Sequence, residues 1–224
     1  MMRRRIVSIW LLALFLLGGS VAKADEGMWL PMLIGKNYEQ MKKQGFKLTP
    51  EDLYNVNKAS IKDAIVSFGG FCTGEIVSKN GLIFTNHHCG YDAIASNSTP
   101  ENNILDNGWY AKSYSEEKPI PGLFVRFLVK MEDVTPQVTK GLAGVGANER
   151  AAKTAEVTRQ IAGNATSGTQ EAEVKDLYKA NQFILFVYER YNDVRLVGTP
   201  PQSIGKFGGD TDNWEWPRHT GDFS

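Results

Sequence analysis

Stretches in which apolar and polar side chains alternate recur along the chain and predict β-strands. Such a period of two over about 4–8 residues is typical of a strand with one buried face. Residues 123–130 are the clearest example, residues 61–68 alternate loosely, and residues 182–191 and 194–197 are predicted as further strands. Several short strands separated by turn residues indicate a barrel or a sandwich. The sequence therefore predicts a mostly β fold.

Residues 71–90, FCTGEIVSKNGLIFTNHHCG, contain the strongest local signal. Asn80-Gly81 lies between two apolar runs, which predicts a β-hairpin. Because the two strands run antiparallel, Cys72 returns beside Cys89, and these are the only two cysteines of the chain. We expect a disulfide between them, next to histidines at the end of the returning strand. A short helical turn is predicted directly after it, over residues 90–94.

Helical signals occupy two other regions. Residues 38–45 resemble a short helix that ends at a glycine, and Thr49-Pro50 begins a second one with a cap and a proline at the first helical position. From about residue 135 to residue 179, Ala, Glu, Lys and Gln recur with helical spacing, interrupted at residues 163–168. We predict two solvent-exposed helices there, inserted into the β domain.

The first 24 residues have the pattern of a secretory signal peptide. Three arginines at positions 3–5 precede an apolar run over residues 6–17, and Ala22-Lys23-Ala24 matches a cleavage site. The apolar run is shorter than the roughly 20 residues of a membrane span, so we expect no span after cleavage. The sequence thus predicts export to the periplasm or the cell surface, where a disulfide persists.

The composition is that of an ordinary globular protein, and its charge limits the classes of partner that we expect. The 224 residues include 25 basic and 25 acidic side chains, and removal of residues 1–24 leaves 21 basic against 25 acidic. No basic stripe remains, so we expect no nucleic-acid partner. No glycine-rich phosphate loop is present either, and we expect no cofactor.

Three histidines, His87, His88 and His219, are the candidates for chemistry. Neighbours on a strand point to opposite faces, so His87 and His88 cannot serve one site unless the strand breaks there. Adjacent histidines also chelate poorly, and no second metal-ligand motif accompanies them, so we expect no metal. Taken alone, the pair would be one core histidine and one surface histidine.

The Thr-x-x-His-Cys pattern, with a cysteine 17 positions earlier, resembles the histidine segment of chymotrypsin-like serine peptidases. This resemblance implies that His88 is a general base, which needs an acid to orient its imidazole. Asp222, followed by Phe223, has the form of that acid, 134 residues after His88. Asp210 and Asp212 are rival acids, although glycine-rich turns favour aspartate for local hydrogen bonds as well.

A closer resemblance rests on the leader GMW, on CTG, on TNHHCG and on the closing FGGDTDNWEWPRHTGDFS. These segments are similar to the N-terminal portion of the bacterial dipeptidyl-peptidase 7/dipeptidyl-peptidase 11 family, which are exported serine exopeptidases. The resemblance implies a double β-barrel with a helical domain that removes dipeptides from free peptide N-termini. It assigns His88 as base, Asp222 as acid, and Asn213 and Trp214 to the substrate's amine. A homodimer is compatible with it.

The chemistry of Asn213 and Trp214 suits this role, because an amide carbonyl and an indole face both attract an ammonium group. Packing is the alternative, since Trp214, Trp216 and Pro217 together could form a buried aromatic loop. Arg218 fits a structural ion pair better than a catalytic role.

No Gly-x-Ser-Gly segment of a serine nucleophile occurs in the chain, and Ser224 follows the proposed acid too closely to serve. We therefore expect residues 25–224 to form the first barrel of a truncated chymotrypsin-like protein, without the second barrel, the main helical domain or activity of its own. Two other functions stay open: a secreted peptide-binding module without chemistry, and a disulfide-stabilised structural domain.

Overall fold

The computed structural model describes residues 30–207 and 221–224. Ten strands lie in this part of the chain, and six of them form one antiparallel sheet in the order β3-β2-β1-β6-β8-β7. The strands are β1 Ile65–Phe68, β2 Cys72–Ile76, β3 Ile83–Thr85, β4 Trp109–Tyr110, β5 Lys118–Pro119, β6 Val125–Asp133, β7 Gln170–Leu177, β8 Gln182–Tyr191, β9 Arg195–Leu196 and β10 Gly198–Thr199. The prediction of a mostly β fold is confirmed.

The α-helices are mostly short; two precede the first strand, one follows the last, and the others lie between strands. They are α1 Tyr38–Lys43, α2 Pro50–Leu53, α3 His87–Ser96, α4 Ile104–Asn107, α5 Thr135–Gly141, α6 Ala147–Ala165 and α7 Gln202–Gly205. The two N-terminal helices lie where they were predicted. The second has its capping box, because Thr49 Oγ1 accepts from the Asp52 N–H and an Asp52 carboxylate oxygen accepts from the Thr49 N–H.

The central hairpin is confirmed. Glu75 of β2 pairs with Phe84 of β3 in an antiparallel ladder, and the Val77 N–H donates to the Leu82 carbonyl just beyond it. Gly81 has a φ of 80°, a left-handed conformation that glycine adopts without steric cost. The Asn-Gly pair therefore forms the predicted turn, because its glycine can adopt the left-handed conformation that the turn requires.

The helical insertion is shorter than expected. The sequence predicts helix up to about residue 179, but Gln170–Leu177 is the strand β7, which pairs with β8 along its whole length. Ala172 and Val174 pack on the core that β8 forms with the two inserted helices, whereas Glu171 faces Arg190 at 2.7 Å on the other side. The helix propensity of this Ala- and Glu-rich stretch is outweighed by pairing with an apolar strand.

Three clusters of buried apolar residues lie in the described part of the chain, and the third, with Ile94, Ile104 and Leu196, lies beside the two that pack on the six-stranded sheet. The first joins β8 to α5 and its flanks through Val134, Val138, Leu142, Phe183, Leu185 and Val187. Val157, Ile161 and Ala165 of α6 are partly buried and pack against it. The second lies by the central hairpin and contains Val66, Phe68, Cys89 and Val125. The hydrogen-bonded strands of residues 30–207 do not close into a barrel, since β3 and β7 stand at opposite ends of the order. A groove of about 670 Å³ opens beside the hairpin, with Phe68, Ile76, Ile83 and Phe127 among its walls.

The loop between β7 and β8 provides a test of local strain. Tyr178, Lys179 and Ala180 all have left-handed φ values, of 52°, 58° and 61°. This conformation costs a residue with a Cβ about 1–2 kcal/mol. We expect Ala180→Gly to raise the free energy of unfolding by about 0.5–1 kcal/mol, because glycine removes the clash at some cost in chain entropy. Urea unfolding followed by circular dichroism measures it.

Ala155, exposed within α6, is the matched control. There Ala155→Gly should lower the free energy of unfolding by about 1 kcal/mol. If both substitutions destabilise the protein to the same extent, the backbone of residues 178–180 is not strained.

Candidate active site

The candidate site lies where β3 ends and α3 begins. The sequence places both histidines at the end of a strand, with a helical turn only after Cys89, and this boundary is wrong. Asn86 is the N-cap of a helix whose first residue is His87. Successive residues of a helix project about 100° apart. The two imidazoles therefore point in different directions because they lie on a helix, and not because they alternate on a strand.

A short segment at residues 221–224 is bound along the edge of β3. Thr85 and Ser224 exchange two backbone hydrogen bonds, each of 2.8 Å. On its other side the segment is held by α7 and the residues after it, because the Phe223 N–H donates to the Gly205 carbonyl at 3.1 Å. The side-chain amide of Asn86 donates to the Asp222 carbonyl oxygen at 3.0 Å. Asp222 is therefore fixed by backbone contacts on both sides.

His88 makes a double contact with the Asp222 side chain. The backbone N–H of His88 donates to Oδ1 at 3.1 Å, and the ring atom Nδ1 lies 2.6 Å from Oδ2. An ionised carboxylate only accepts hydrogen bonds, so Nδ1 bears the proton and Nε2 presents its lone pair. The His88 side chain is 66% exposed, which leaves the ring accessible. This is the orientation that a general base requires.

The electrostatics keep Asp222 charged. Partial burial alone would raise the pKa of its carboxyl group, but the hydrogen bonds from the His88 backbone and ring, together with the charge of His88, hold that pKa below its ordinary value. Asp222 is thus a carboxylate at neutral pH.

Cys72 and Cys89 are joined in a disulfide with a Cα–Cα distance of 6.1 Å. The bond links the start of β2 to the first turn of α3, so it fixes the helix that contains both histidines. On the chain-entropy estimate a loop of this length contributes roughly 3 kcal/mol. Cys89 Sγ lies 3.4 Å from Nε2 of His88, against the ring edge.

Cys72, His88 and Cys89 also bring their potential metal-ligand atoms within 4.8 Å of one another. Their two sulfur atoms are bonded to each other, so neither cysteine offers the thiolate that a zinc site uses. The arrangement is suited to proton transfer and not to ligation.

His87 points away from the Asp222 carboxylate and into the protein. It is fully buried, and its Nδ1 lies 2.7 Å from Ser224 Oγ. Burial lowers its pKa, the negative charge of Asp222 opposes this, and the charge of Lys206 adds to the lowering, so that the net shift is downward. His87 is therefore a neutral imidazole inside the site.

Several predicted residues lie outside the described part of the chain. They include the signal peptide at residues 1–24 and the residues Asp210, Asp212, Asn213, Trp214, Trp216, Pro217, Arg218 and His219. Their roles stay predictions.

The sequence-based interpretation did not identify Asn86 and Ser224 as parts of the site. The signal for Asn86 was its position as a good N-cap residue before the histidines, which would have moved the start of the helix to residue 87. Ser224 was considered only as a nucleophile. No local pattern reveals that its hydroxyl contacts His87, since the two residues are 137 positions apart.

Within residues 30–207 and 221–224, no helix combines the length and the apolar character needed to cross a membrane.

Known proteins with a similar sequence are dipeptidyl-peptidases by name. Dipeptidyl-peptidase 7 of Capnocytophaga gingivalis is 48% identical over 226 residues, which cover 100% of this chain and 32% of that protein. The Asp/Glu-specific dipeptidyl-peptidase of Porphyromonas gingivalis is 46% identical over 231 residues, again 100% of this chain and 32% of the relative. The chain thus spans about a third of the length of these relatives.

A solved structure shares the fold. The crystal structure of DPP11 from Porphyromonas endodontalis superposes with a TM-score of 0.79 at 43% identity, over 90% of this chain and 29% of that one. The same enzyme in complex with the dipeptide Arg-Glu gives 0.76 at 42% identity, over 89% of this chain and 31% of that one. The sequence profile described as Peptidase S46 matches residues 24–224. The chain therefore belongs to the peptidase S46 family.

Proposed function

We propose that this chain is the N-terminal part of an exported serine-type dipeptidyl-peptidase, with His88 as general base and Asp222 as the acid that orients it. The observation that supports this most directly is the double contact of Asp222 with the His88 ring and backbone. One carboxylate fixes both the tautomer and the direction of the imidazole. A histidine that served only for packing would need neither.

In the proposed reaction, Nε2 of His88 takes the proton of a serine hydroxyl while that oxygen attacks the peptide carbonyl carbon. The carbonyl π electrons move to its oxygen, and a tetrahedral intermediate forms. His88, now an imidazolium stabilised by the Asp222 carboxylate, then gives its proton to the leaving amine as the C–N bond breaks. Water, deprotonated by the same nitrogen, hydrolyses the acyl-enzyme. The serine belongs to a part of the full-length protein that this chain does not contain.

The surroundings of His88 favour this assignment. Its imidazole is held on one edge by Asp222 and meets the disulfide at Cys89 on another, so little rotational freedom is left to lose in the reaction. Because the ring is largely exposed, a nucleophile from another part of the protein can approach it.

For the substrate we propose a peptide with a free N-terminus, whose ammonium group is bound by Asn213 and Trp214. The support comes from the names of the relatives, dipeptidyl-peptidase 7 and Asp/Glu-specific dipeptidyl-peptidase, and from a related structure with a bound dipeptide. The sequence identity to dipeptidyl-peptidase 7 is similar to the identity to the Asp/Glu-specific dipeptidyl-peptidase. Sequence identity therefore does not show whether the substrate side chain is acidic. We place the protein in the periplasm or at the cell surface, as the segment at residues 1–24 predicts.

The first functional prediction concerns the acid. In the full-length protein, Asp222→Asn should lower kcat by roughly 10³–10⁴-fold, because an amide favours the wrong imidazole tautomer and cannot stabilise the imidazolium. Steady-state hydrolysis of a fluorogenic dipeptide measures this. Asp176→Asn, at an exposed position of β7, is the matched control and should leave kcat unchanged. Equal activity of both variants would exclude Asp222 from catalysis.

The second concerns the substrate amine. N-acetylated peptides should be poor substrates of the full-length protein, since acetylation removes the charge that Asn213 and Trp214 bind. Asn213→Ala should raise KM for free peptides, because one partner of the ammonium is lost. Equal rates of cleavage for acetylated and free peptides would show that the protein is not an exopeptidase of this kind.

The third concerns residues 25–224 expressed alone. They should hydrolyse no peptide above background, because a general base accelerates only a nucleophile within its reach. They should also be poorly soluble, since the apolar groove beside the hairpin faces solvent. A fluorogenic dipeptide and a serine-directed phosphonate probe test the first point.

Turnover by residues 25–224 that disappears in a His88→Ala variant, or stoichiometric labelling of a serine within them, would contradict the assignment. A stop codon directly after Ser224 in the gene would favour a peptide-binding module or a structural domain. An in-frame Gly-x-Ser-Gly segment several hundred residues further on would favour the peptidase.

A further inference from the structure

His87 is a buried titratable side chain of the described part of the chain that the proposed reaction does not use. Its side chain is fully buried, whereas that of His88, its neighbour in the sequence, is largely exposed. A buried imidazole is costly unless its polar atoms are paired. The structure gives it one partner among the described residues, the hydroxyl of Ser224.

The ring of His87 is closely packed against Gly205 and Tyr91. A Cβ atom at Gly205 would come within 2.6 Å of Nδ1 and 3.0 Å of Cγ, so the glycine backbone forms a wall against the ring. Tyr91 meets the ring edge-on with its centroid 6.3 Å away. Gly205 in turn accepts the Phe223 N–H. The imidazole therefore fills the space between α3 and α7, next to the segment that contains Asp222.

The tautomer of His87 is inferred from the hydrogen-bond partners of its two ring nitrogens. Nε2 of His87 is buried and has no hydrogen-bond partner in residues 30–207 and 221–224. An orphaned buried N–H is rarer than an orphaned acceptor, which places the proton on Nδ1, where it is donated to Ser224 Oγ. Burial keeps this ring neutral. A neutral donor fixes Ser224 without adding a positive charge that would compete with His88 for Asp222.

We propose that His87 is a positioning residue that acts through Ser224 to hold the Asp222 carboxylate against His88. This role rests on the proposed function, because it names what sets the geometry of the same acid–base pair. Ser224 is two residues from Asp222 and is anchored at its backbone by Thr85. The hydrogen bond from His87 fixes the side-chain end of Ser224 and stops the segment from twisting along the edge of β3.

The test compares Ser224→Ala and Ser224→Thr in the full-length protein. Removal of the hydroxyl should lower kcat by about 10- to 100-fold with KM nearly unchanged, since misplacement of a catalytic group by about 1 Å costs up to 10² in rate. Threonine keeps the hydroxyl and should restore most of kcat. His87→Phe should match Ser224→Ala, and the double variant should be no worse than either, because both remove one interaction.

Ser98→Ala is the control for a merely structural effect. The Ser98 hydroxyl accepts the Leu105 N–H at 3.0 Å and donates to the Ile94 carbonyl at 3.1 Å, away from the pair. This variant should lose thermal stability but keep kcat. If Ser224→Ala behaves like Ser98→Ala, or if the losses at His87 and Ser224 multiply, the proposal is overturned.

A second readout does not need activity. In protein with ¹⁵N-labelled histidine, the Nδ1–H of His88 bonded to Asp222 should give a low-field proton signal, visible in the parent and in Ser224→Thr and lost to water exchange in Ser224→Ala. An unchanged signal in Ser224→Ala overturns the positioning role. A parent protein without peptidase activity would instead contradict the proposed function, and the signal alone would then decide whether His87 and Ser224 hold the pair.

Discussion

The pairing of residues 85–88 with residues 222–224 is the contact on which the candidate site depends. Thr85 makes two backbone hydrogen bonds to the Asp-Phe-Ser segment, and Asn86 and His87 make one side-chain hydrogen bond each. His88 makes two, one from its backbone and one from its ring. No single bond of this kind contributes more than about 0.5–1.5 kcal/mol, or about twice that with a charged group. Together they determine one register, and a slip of one residue would separate Asp222 from His88.

Elements on both sides of the 222–224 segment hold this pairing in place. The hairpin of β2 and β3 supplies the edge to which the segment adds, and the disulfide fixes the first turn of α3 to the beginning of that hairpin. On the other side, Gly205 supplies a carbonyl for the segment and a flat wall for His87. The hydrogen-bonded pair of His88 and Asp222 is solvent-exposed, so it contributes more to orientation than to stability.

The sequence predicted those parts of the fold whose cause is local. Asn80-Gly81 located the hairpin and Thr49-Pro50 the capped helix, and residues 182–191 were predicted as a strand with the observed bounds. The error at Gln170–Leu177 has a tertiary cause, because pairing with β8 outweighs the helix propensity of its residues. At the site, the resemblance pointed to His88 and Asp222, but the link of His87 to Ser224 requires knowledge of two segments 137 residues apart.

If His88 and Asp222 act as one unit in the proposed reaction, a double-mutant cycle on kcat/KM should show their coupling. The full-length protein would be compared with His88→Ala, Asp222→Ala and the double variant, using one free-N-terminus dipeptide substrate. If Asp222 acts only through His88, the double variant is no less active than His88→Ala alone. If the two losses multiply, the residues contribute independently, and Asp222 is not the acid that orients His88.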